Sequence, residues 1–278
     1  MTNRKRWTKR LLGGIAVLAG MLLLAWGGLF VYTERALQGT DFPVSAVLPK
    51  GDPVSGERLA RIHGCSGCHG RQLQGQLFVD IPHVARLIAP NLTMARDQYD
   101  QQAFVRLMRA GTKADGRLAL VMPNQAHQRL TDQQLADLEA YMHSVPAVVN
   151  ELPSRSLQTL ARIGIVTGQY DLDEMRADPP ESAAVIADRN QPDRARHLVQ
   201  TACGECHGVD LQGYPQEGVP PLLVARAYSD QQFLRLLHQG KTLTGTDSAS
   251  GMMSEVARSR FSVLSADEVA AIKDVLDR

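Results

Sequence analysis

The first long pattern in the sequence is an uninterrupted apolar run near the amino terminus. Residues 11–32 read LLGGIAVLAGMLLLAWGGLFVY and contain no charged side chain. A helix of that length rises about 33 Å, which matches a hydrocarbon core of about 30 Å. Trp26 and Tyr32 fall toward its far end, where amphipathic rings favour a membrane–water interface. The pattern therefore predicts one membrane-spanning helix.

The charges around this run predict its orientation. Residues 1–10 carry five basic side chains and no acidic one, so the positive-inside rule keeps them in the cytoplasm and places the rest of the chain outside. A cleaved signal peptide is the competing interpretation, but its apolar core is shorter and ends in small residues. Because this run continues into FVYTERALQ, we predict an uncleaved anchor. Residues 33–52 are polar and contain prolines, which favours a tether.

Beyond the tether the sequence repeats itself. CHGRQLQG at 68–75 returns as CHGVDLQG at 206–213, and LTDQQLADLEAYM at 130–142 resembles LSADEVAAIKDVL at 264–276. The order of the matching segments is kept, and only the lengths between them differ slightly. This arrangement indicates a tandem duplication.

The repeated segments have the spacing of short helices. DQQAFVRLMRAG at 100–111 and DQQFLRLLHQG at 230–240 form a third matching pair with apolar residues on one face. Thr131 and Ser265 each precede a Gln or a Glu by three residues, which is the capping-box pattern of a helix start. Alternating strand patterns are scarce. The sequence therefore predicts units with about three short helices and much loop.

We place the first unit at residues 53–147 and the second at 192–278, with a connector at 148–191. The connector is acidic, and residues 156–166 predict one short helix with an apolar face. We expect the connector to pack across both units, with docking of a partner as the alternative. So little regular structure leaves a thin core for each unit, and a non-protein group is expected to fill it.

All four cysteines stand in two Cys-x-x-Cys-His motifs. The motif residues are Cys65, Cys68 and His69 in the first unit and Cys203, Cys206 and His207 in the second. A zinc site usually takes its four ligands from pairs a short distance apart, and a thioredoxin-like pair needs a strand–helix context that is not visible. Structural disulfides give no reason for the histidines. Covalent attachment of a c-type haem accounts for both, because two thiols one helical turn apart bind the vinyl groups and the histidine reaches the iron.

These motifs resemble those of class I c-type cytochromes, and the resemblance covers both units. It implies two covalently bound haem c groups, with His69 and His207 as axial ligands of the iron. It also implies a mostly α fold, in which two tandem class I cytochrome c-like domains of short helices follow one N-terminal transmembrane helix. Since c-type haems are attached outside the cytoplasm in bacteria, we expect a single-pass protein of the bacterial cytoplasmic membrane with periplasmic haem domains.

In that family a methionine ahead of the last helix supplies the second axial ligand, commonly in a Met-Pro pair. Met122 is followed by Pro123 and precedes the last helix of the first unit, so the resemblance implies that it binds the first iron. The second unit reads GMMSEVARSRFSVLSADE and has no Met-Pro pair. There the resemblance favours Met253 over Met252, and a weak or open sixth position is the alternative.

Ligation by histidine and methionine implies an electron carrier. A thioether is a soft donor that raises the reduction potential, and an iron with both axial positions filled can only change its charge. We expect single electrons to pass from a periplasmic donor, such as a dehydrogenase, to an acceptor, such as a haem–copper oxidase. An open second haem would instead indicate a peroxidase-like enzyme. No small-molecule substrate is expected, and the basic cluster is too local to indicate nucleic-acid binding.

The remaining histidines are assigned no ligand role. They are not clustered along the sequence, so they are expected at the surface or in packing contacts. His63, two residues before Cys65, is expected to face solvent or a haem propionate.

Overall fold

The computed structural model is mostly helical, as expected. It describes residues 2–40, 42–44, 47–173, 175–179, 182–190 and 193–278. The helices of the first half are α1 (Thr2–Ala36), α2 (Pro53–Ile62), α3 (Cys65–His69), α4 (Leu92–Ala95), α5 (Gln101–Ala110), α6 (Asn124–His127) and α7 (Asp132–Ser144). Those of the second half are α8 (Thr159–Val166), α9 (Ala183–Arg189), α10 (Arg194–Leu198), α11 (Gly204–His207), α12 (Asp230–Gln239), α13 (Met252–Arg260) and α14 (Ala266–Asp277). A π-helical segment, Val199–Cys203, joins α10 to α11. The 3-10 segments are Arg96–Gln98, Pro215–Glu217, Leu222–Ala227 and Phe261–Val263.

A small antiparallel sheet was not predicted from the sequence. Strand β1 (Gln76–Ile81) pairs with β2 (Ala85–Ala89), and β2 pairs with β3 (Ser156–Leu157) in the order β1-β2-β3. A bulge interrupts the β1–β2 register, and β3 is only two residues long. Strands this short and irregular lack a period-two pattern, so their pairing depends on tertiary contacts. The sheet joins the connector to the first unit.

The predicted capping boxes are confirmed in both units. The Thr131 hydroxyl accepts a bond from the Gln134 amide at 3.1 Å, and the Gln134 side chain accepts one from the Thr131 amide at 2.8 Å. Ser265 and Glu268 make the same reciprocal pair at 3.1 and 2.8 Å. Each box satisfies open N–H groups at a helix start, and α7 and α14 therefore begin where the sequence indicated.

The two DQQ segments are not structurally equivalent. Asp100 caps α5, because its carboxylate accepts a bond from the Ala103 amide at 2.7 Å. Asp230 is instead the first residue of α12, and Ser229 is the cap. Both helices end at a glycine in the left-handed conformation, Gly111 and Gly240. The two helices therefore correspond by their capping residues, Asp100 with Ser229 and Gly111 with Gly240, and not by the shared DQQ sequence.

Each unit has its own small apolar core. The first is built from Ala60, Phe104, Met108, Leu130, Leu135 and Leu138. The second is built from Ile62, Val199, Ala202, Ala225, Phe233, Leu236, Leu237, Phe261, Leu264, Val269 and Ile272. Ile62 is the last residue of α2, yet it belongs to the second core. The two units therefore share a packed interface.

The beginning of the predicted tether is part of the folded first unit. Thr33 and Leu37 are buried, at 0% and 1% exposure. The amide of Leu118 donates to the carbonyl of Leu37 at 3.0 Å. Residues 33–40 therefore do not form a free linker, which corrects the expectation for the first part of 33–52. The sequence did not show this, because each contact is made to a segment far along the chain.

Helix α1 has the properties of a membrane span. Within Trp7–Ala36, the most apolar window of 18 residues has a mean hydropathy of 2.2 and is not buried inside the protein. By length and composition the helix can cross a membrane. A signal sequence near an amino terminus also meets these two criteria, so this observation admits an anchor or a signal sequence.

Replacing Ile62 by alanine is expected to destabilise the contact between the units. Ile62 is 1% exposed and packs in the core of the second unit, so the substitution should cost about 2–5 kcal/mol of unfolding free energy. Thermal denaturation of the haem-loaded protein, followed by circular dichroism, measures this change. The control is Val54→Ala in the same helix, where the side chain is 74% exposed. Equal melting of the two variants would contradict the packing described.

Candidate haem sites

The first motif forms one tight helical turn. Gly64 precedes α3 with a left-handed φ of 66°, and Gly70 ends it with a φ of 82°. Cys65 and Cys68 are three residues apart on this turn, which places them on one side. Cys65 packs against the core of the first unit, and so does Met122.

The second motif is placed in the same way at the end of a longer helix. Cys203 ends the π-helical segment and packs against the core of the second unit, while Cys206 lies within α11. No disulfide joins any of the four cysteines. Burial raises the pKa of the Cys65 and Cys203 thiols to about 12. Redox-active cysteines depend on a lowered pKa, so these surroundings do not favour the redox-pair interpretation.

Both motif histidines are oriented by a proline carbonyl. His69 Nδ1 lies 2.8 Å from the carbonyl oxygen of Pro90, and His207 Nδ1 lies 2.8 Å from that of Pro220. A carbonyl can only accept, so each Nδ1 carries the proton and each Nε2 has a free lone pair. This is the usual support of a metal-binding histidine. Burial lowers the pKa of both imidazoles, which keeps them neutral and able to bind iron.

The loops that follow the two histidines have the same backbone bonds. The amide of Gly75 donates to the carbonyl of His69 at 2.7 Å, and the amide of Gly213 donates to that of His207 at 2.7 Å. The leucine two residues before each glycine has a left-handed φ, 57° in one unit and 61° in the other. This conformation is uncommon for leucine, so its recurrence shows that both motifs stand in equivalent local structures.

The candidate methionine ligands differ in burial. Met122 is partly buried and packs against the core that also contacts Cys65, and Met253 is partly buried against the core that also contacts Cys203. Met252 is 61% exposed at the first position of α13. In each unit, the first cysteine of the motif and one methionine therefore contact the same apolar core, and the motif continues into a neutral imidazole. These residues fit a covalently bound haem c.

A buried polar cluster, absent from the sequence expectations, lies between the two motifs. Arg260 donates to Glu205, which stands between the cysteines of the second motif. A side chain at Gly64, beside the first motif, would collide with the same guanidinium. His127 Nε2 lies 3.3 Å and His63 Nδ1 3.9 Å from Glu205 Oε1. The expectation that His63 faces solvent is wrong, because the residue is 4% exposed.

Burial and neighbouring charged groups together determine the pKa of Glu205 and of His63 in this cluster. Burial alone would raise the pKa of Glu205, but its contacts with His127 and Arg260 bring it below the ordinary value. Burial lowers the pKa of His63 to about 4. The cluster therefore contains an ionised carboxylate paired with a guanidinium and, at neutral pH, an uncharged His63.

The cluster has donor atoms of the kind that bind a metal ion. Those of His63, His127 and Glu205 lie within 4.8 Å of one another, and His127 Nδ1 and the two ring nitrogens of His63 lack a hydrogen-bond partner among the described residues. Arg260, however, already neutralises the only carboxylate. A divalent ion would add two uncompensated charges to a buried site, which is costly. We therefore interpret the cluster as a contact between the units.

The geometry of the first unit agrees with a comparison to known protein families. Residues 54–146 match the model of the family named cytochrome c. This region is therefore a cytochrome c domain, and a haem c used for electron transfer is implied in it. The match covers the first unit, so the second site rests on its own motif and on the equivalence of the two loops.

A relative with a similar sequence is the "Fructose dehydrogenase cytochrome subunit" of Gluconobacter japonicus. It is 27% identical over 256 aligned residues, which cover 78% of this chain and 50% of the relative. This chain thus spans about half the length of that relative. The similarity is distant, and it extends beyond the first unit.

Proposed function

We propose that this protein is a membrane-anchored dihaem cytochrome c that relays single electrons from a periplasmic dehydrogenase to an acceptor of the respiratory chain. Haem one would be attached at Cys65 and Cys68, with His69 and Met122 as axial ligands. Each haem would supply a reversible change of charge, and the protein residues would hold and orient it. The corresponding residues for haem two would be Cys203, Cys206, His207 and Met253.

The matched histidine bonds carry the proposal of two haems. His69 and His207 each have Nδ1 at 2.8 Å from a proline carbonyl oxygen. A surface histidine has no reason to repeat this arrangement beside two cysteines in two units. A second haem in the second unit accounts for it, since an iron ligand must present an unprotonated nitrogen.

The contact between the motifs supports a relay within one molecule. Arg260 touches Glu205 in the second motif and lies against Gly64 beside the first. Arg58 of α2 also pairs with Glu268 of α14 at 2.6 Å. These contacts join the first motif and α2 to the second unit, which supports electron transfer between two haems held in one molecule.

The donor is proposed from the relative. That relative is named as the cytochrome subunit of a fructose dehydrogenase. A dehydrogenase is therefore the electron donor that we propose for this protein. The uncharged run of α1 and its basic flank support an uncleaved anchor with periplasmic haem domains. An intact mass that includes residues 1–32, measured on protein extracted from membranes, would support the anchor; a mass lacking them would overturn it.

The haem content tests the central proposal. The pyridine haemochrome spectrum of the purified protein, divided by protein concentration, should give two haems per chain. One haem per chain would overturn the second site. The reduced protein should show no spectral change with carbon monoxide and no peroxide turnover. Binding of carbon monoxide to one haem, with peroxide turnover, would favour the peroxidase-like alternative.

Substitution of the methionines by alanine is expected to separate ligands from bystanders. Met122→Ala and Met253→Ala should each open one iron, so that each reduced variant binds one equivalent of carbon monoxide. Met252→Ala is the matched control, because the residue is adjacent in sequence but exposed, and it should bind none. Binding by Met252→Ala and not by Met253→Ala would reverse the assignment for the second haem.

A further inference from the structure

Helix α8 of the connector has apolar residues on two opposite faces. Ala161 and Gly164 are buried against the protein. Leu160, Ile163 and Val166 are 54%, 43% and 50% exposed. These three residues recur every three positions, so they share one side of the helix, here called the outer face of α8. The helix predicted at 156–166 is confirmed only from Thr159 to Val166, because Ser156 and Leu157 form β3. Leu160 and Ile163 are exposed and do not pack across the units.

The position of α8 is fixed by the end of α1. The Arg162 guanidinium lies 4.2 Å from the centre of the Phe30 ring. It donates to the Thr33 hydroxyl at 2.5 Å and to the Glu34 carboxylate at 2.7 Å. The other Glu34 oxygen pairs with Arg117 at 2.7 Å. Arg162 therefore holds α8 beside Phe30, Thr33 and Glu34, which span about one turn of α1.

This turn of α1 is where its apolar run ends. The uncharged residues 11–32 stop at Tyr32, and Glu34 is the first charged residue after them. Phe30 and Glu34 are separated by about 6 Å along the helix axis, at 1.5 Å per residue. If α1 crosses the bilayer, α8 lies at the level where the hydrocarbon meets the headgroups.

The outer face of α8 suits the boundary between hydrocarbon and headgroups, because it carries no charged side chain. Its neighbours on the same side of the helix, Thr159 and Thr167, are also uncharged. The one charged residue of α8, Arg162, points to α1 and is 9% exposed. Phe30, which Arg162 contacts, is itself 41% exposed at the end of the apolar run.

We propose that the outer face of α8 lies in the interface of the outer membrane leaflet, with lipid as its occupant. A helix of this kind places its apolar residues at the boundary between headgroups and acyl chains. The contact of α8 with the end of the apolar run of α1 favours lipid over a protein partner. The inference rests on the membrane anchoring in the proposed function. Its consequence is a second contact with the bilayer, which fixes the orientation of the first haem domain.

The test uses nitroxide labels on the full-length protein in lipid nanodiscs with oxidised haems. A nitrogen-equilibrated sample of each variant provides the baseline that subtracts relaxation by the ferric haems. Native cysteines bonded to haem do not react, so Ile163→Cys provides one label on the outer face. Val149→Cys is the matched control, because Val149 is in the same connector and 89% exposed. Met21→Cys, within the apolar run, reports whether α1 is inserted. Power saturation compares the accessibility of each label to oxygen, which concentrates in lipid, and to a polar nickel chelate, which does not.

The expected result is a label at 163 that favours oxygen over the chelate by several-fold relative to the label at 149. A lipid-like label at 21 with a water-like label at 163 would overturn this inference and leave the anchor intact. A label at 163 sheltered from both reagents would show a protein contact and would also overturn it. A water-like label at 21 would overturn the anchor, and the inference with it.

Discussion

Replacing Cys203 and Cys206 together by alanine is expected to halve the haem content, from two haems per chain to one. Cys203 packs against the apolar core of the second unit. Without its two thioether bonds, the haem would have no covalent attachment in that unit. The first site should be unaffected, because its thiols, imidazole and methionine all come from the first unit. The pyridine haemochrome spectrum measures the change.

The mirror variant, in which Cys65 and Cys68 become alanine, is the control for this experiment. It should also retain one haem, attached in the second unit. Mass analysis of proteolytic peptides shows which motif carries it. Retention of both haems by either variant would contradict covalent attachment at these cysteines. Complete loss of haem from a variant that is still folded would contradict the independence of the two sites.

Arg260→Leu is expected to produce the largest loss of stability among the substitutions between the units. The Glu205 side chain is 4% exposed and that of Arg260 is 18% exposed. Removing the guanidinium leaves a buried carboxylate without its cation, which costs about 3–5 kcal/mol. Thermal denaturation of the haem-loaded protein should show this as a clear fall in the melting temperature.

Two further variants identify the origin of that loss. Arg258→Leu lies in the same helix, but its ion pair with Asp247 is exposed on both sides and should contribute less than about 1 kcal/mol. The double variant Arg260→Leu/Glu205→Leu removes both charges and should recover much of the stability, since a buried pair can be replaced by apolar residues. If the double variant is as unstable as Arg260→Leu, the cost does not come from an unpaired carboxylate.

Local patterns predicted the parts of this protein that depend on neighbouring residues. The apolar run at 11–32 indicated the long helix α1, and the capping boxes at Thr131 and Ser265 marked the starts of α7 and α14. In these cases the interacting groups are within a few residues of one another. The hairpin of β1 and β2 was missed because its strands lack an alternating pattern, and β3 was missed because its partner is distant along the chain.

The sequence by itself determined the two motifs, the repeat, the apolar span and the choice of candidate ligands. Tertiary structure decided what those residues contact. It placed Pro90 and Pro220 at the two histidines, left Met253 partly buried and Met252 exposed, and brought His63 and Glu205 together. It also docked the end of α1 on the first unit. Spacing along the chain cannot show such contacts, because they join residues that only folding brings close.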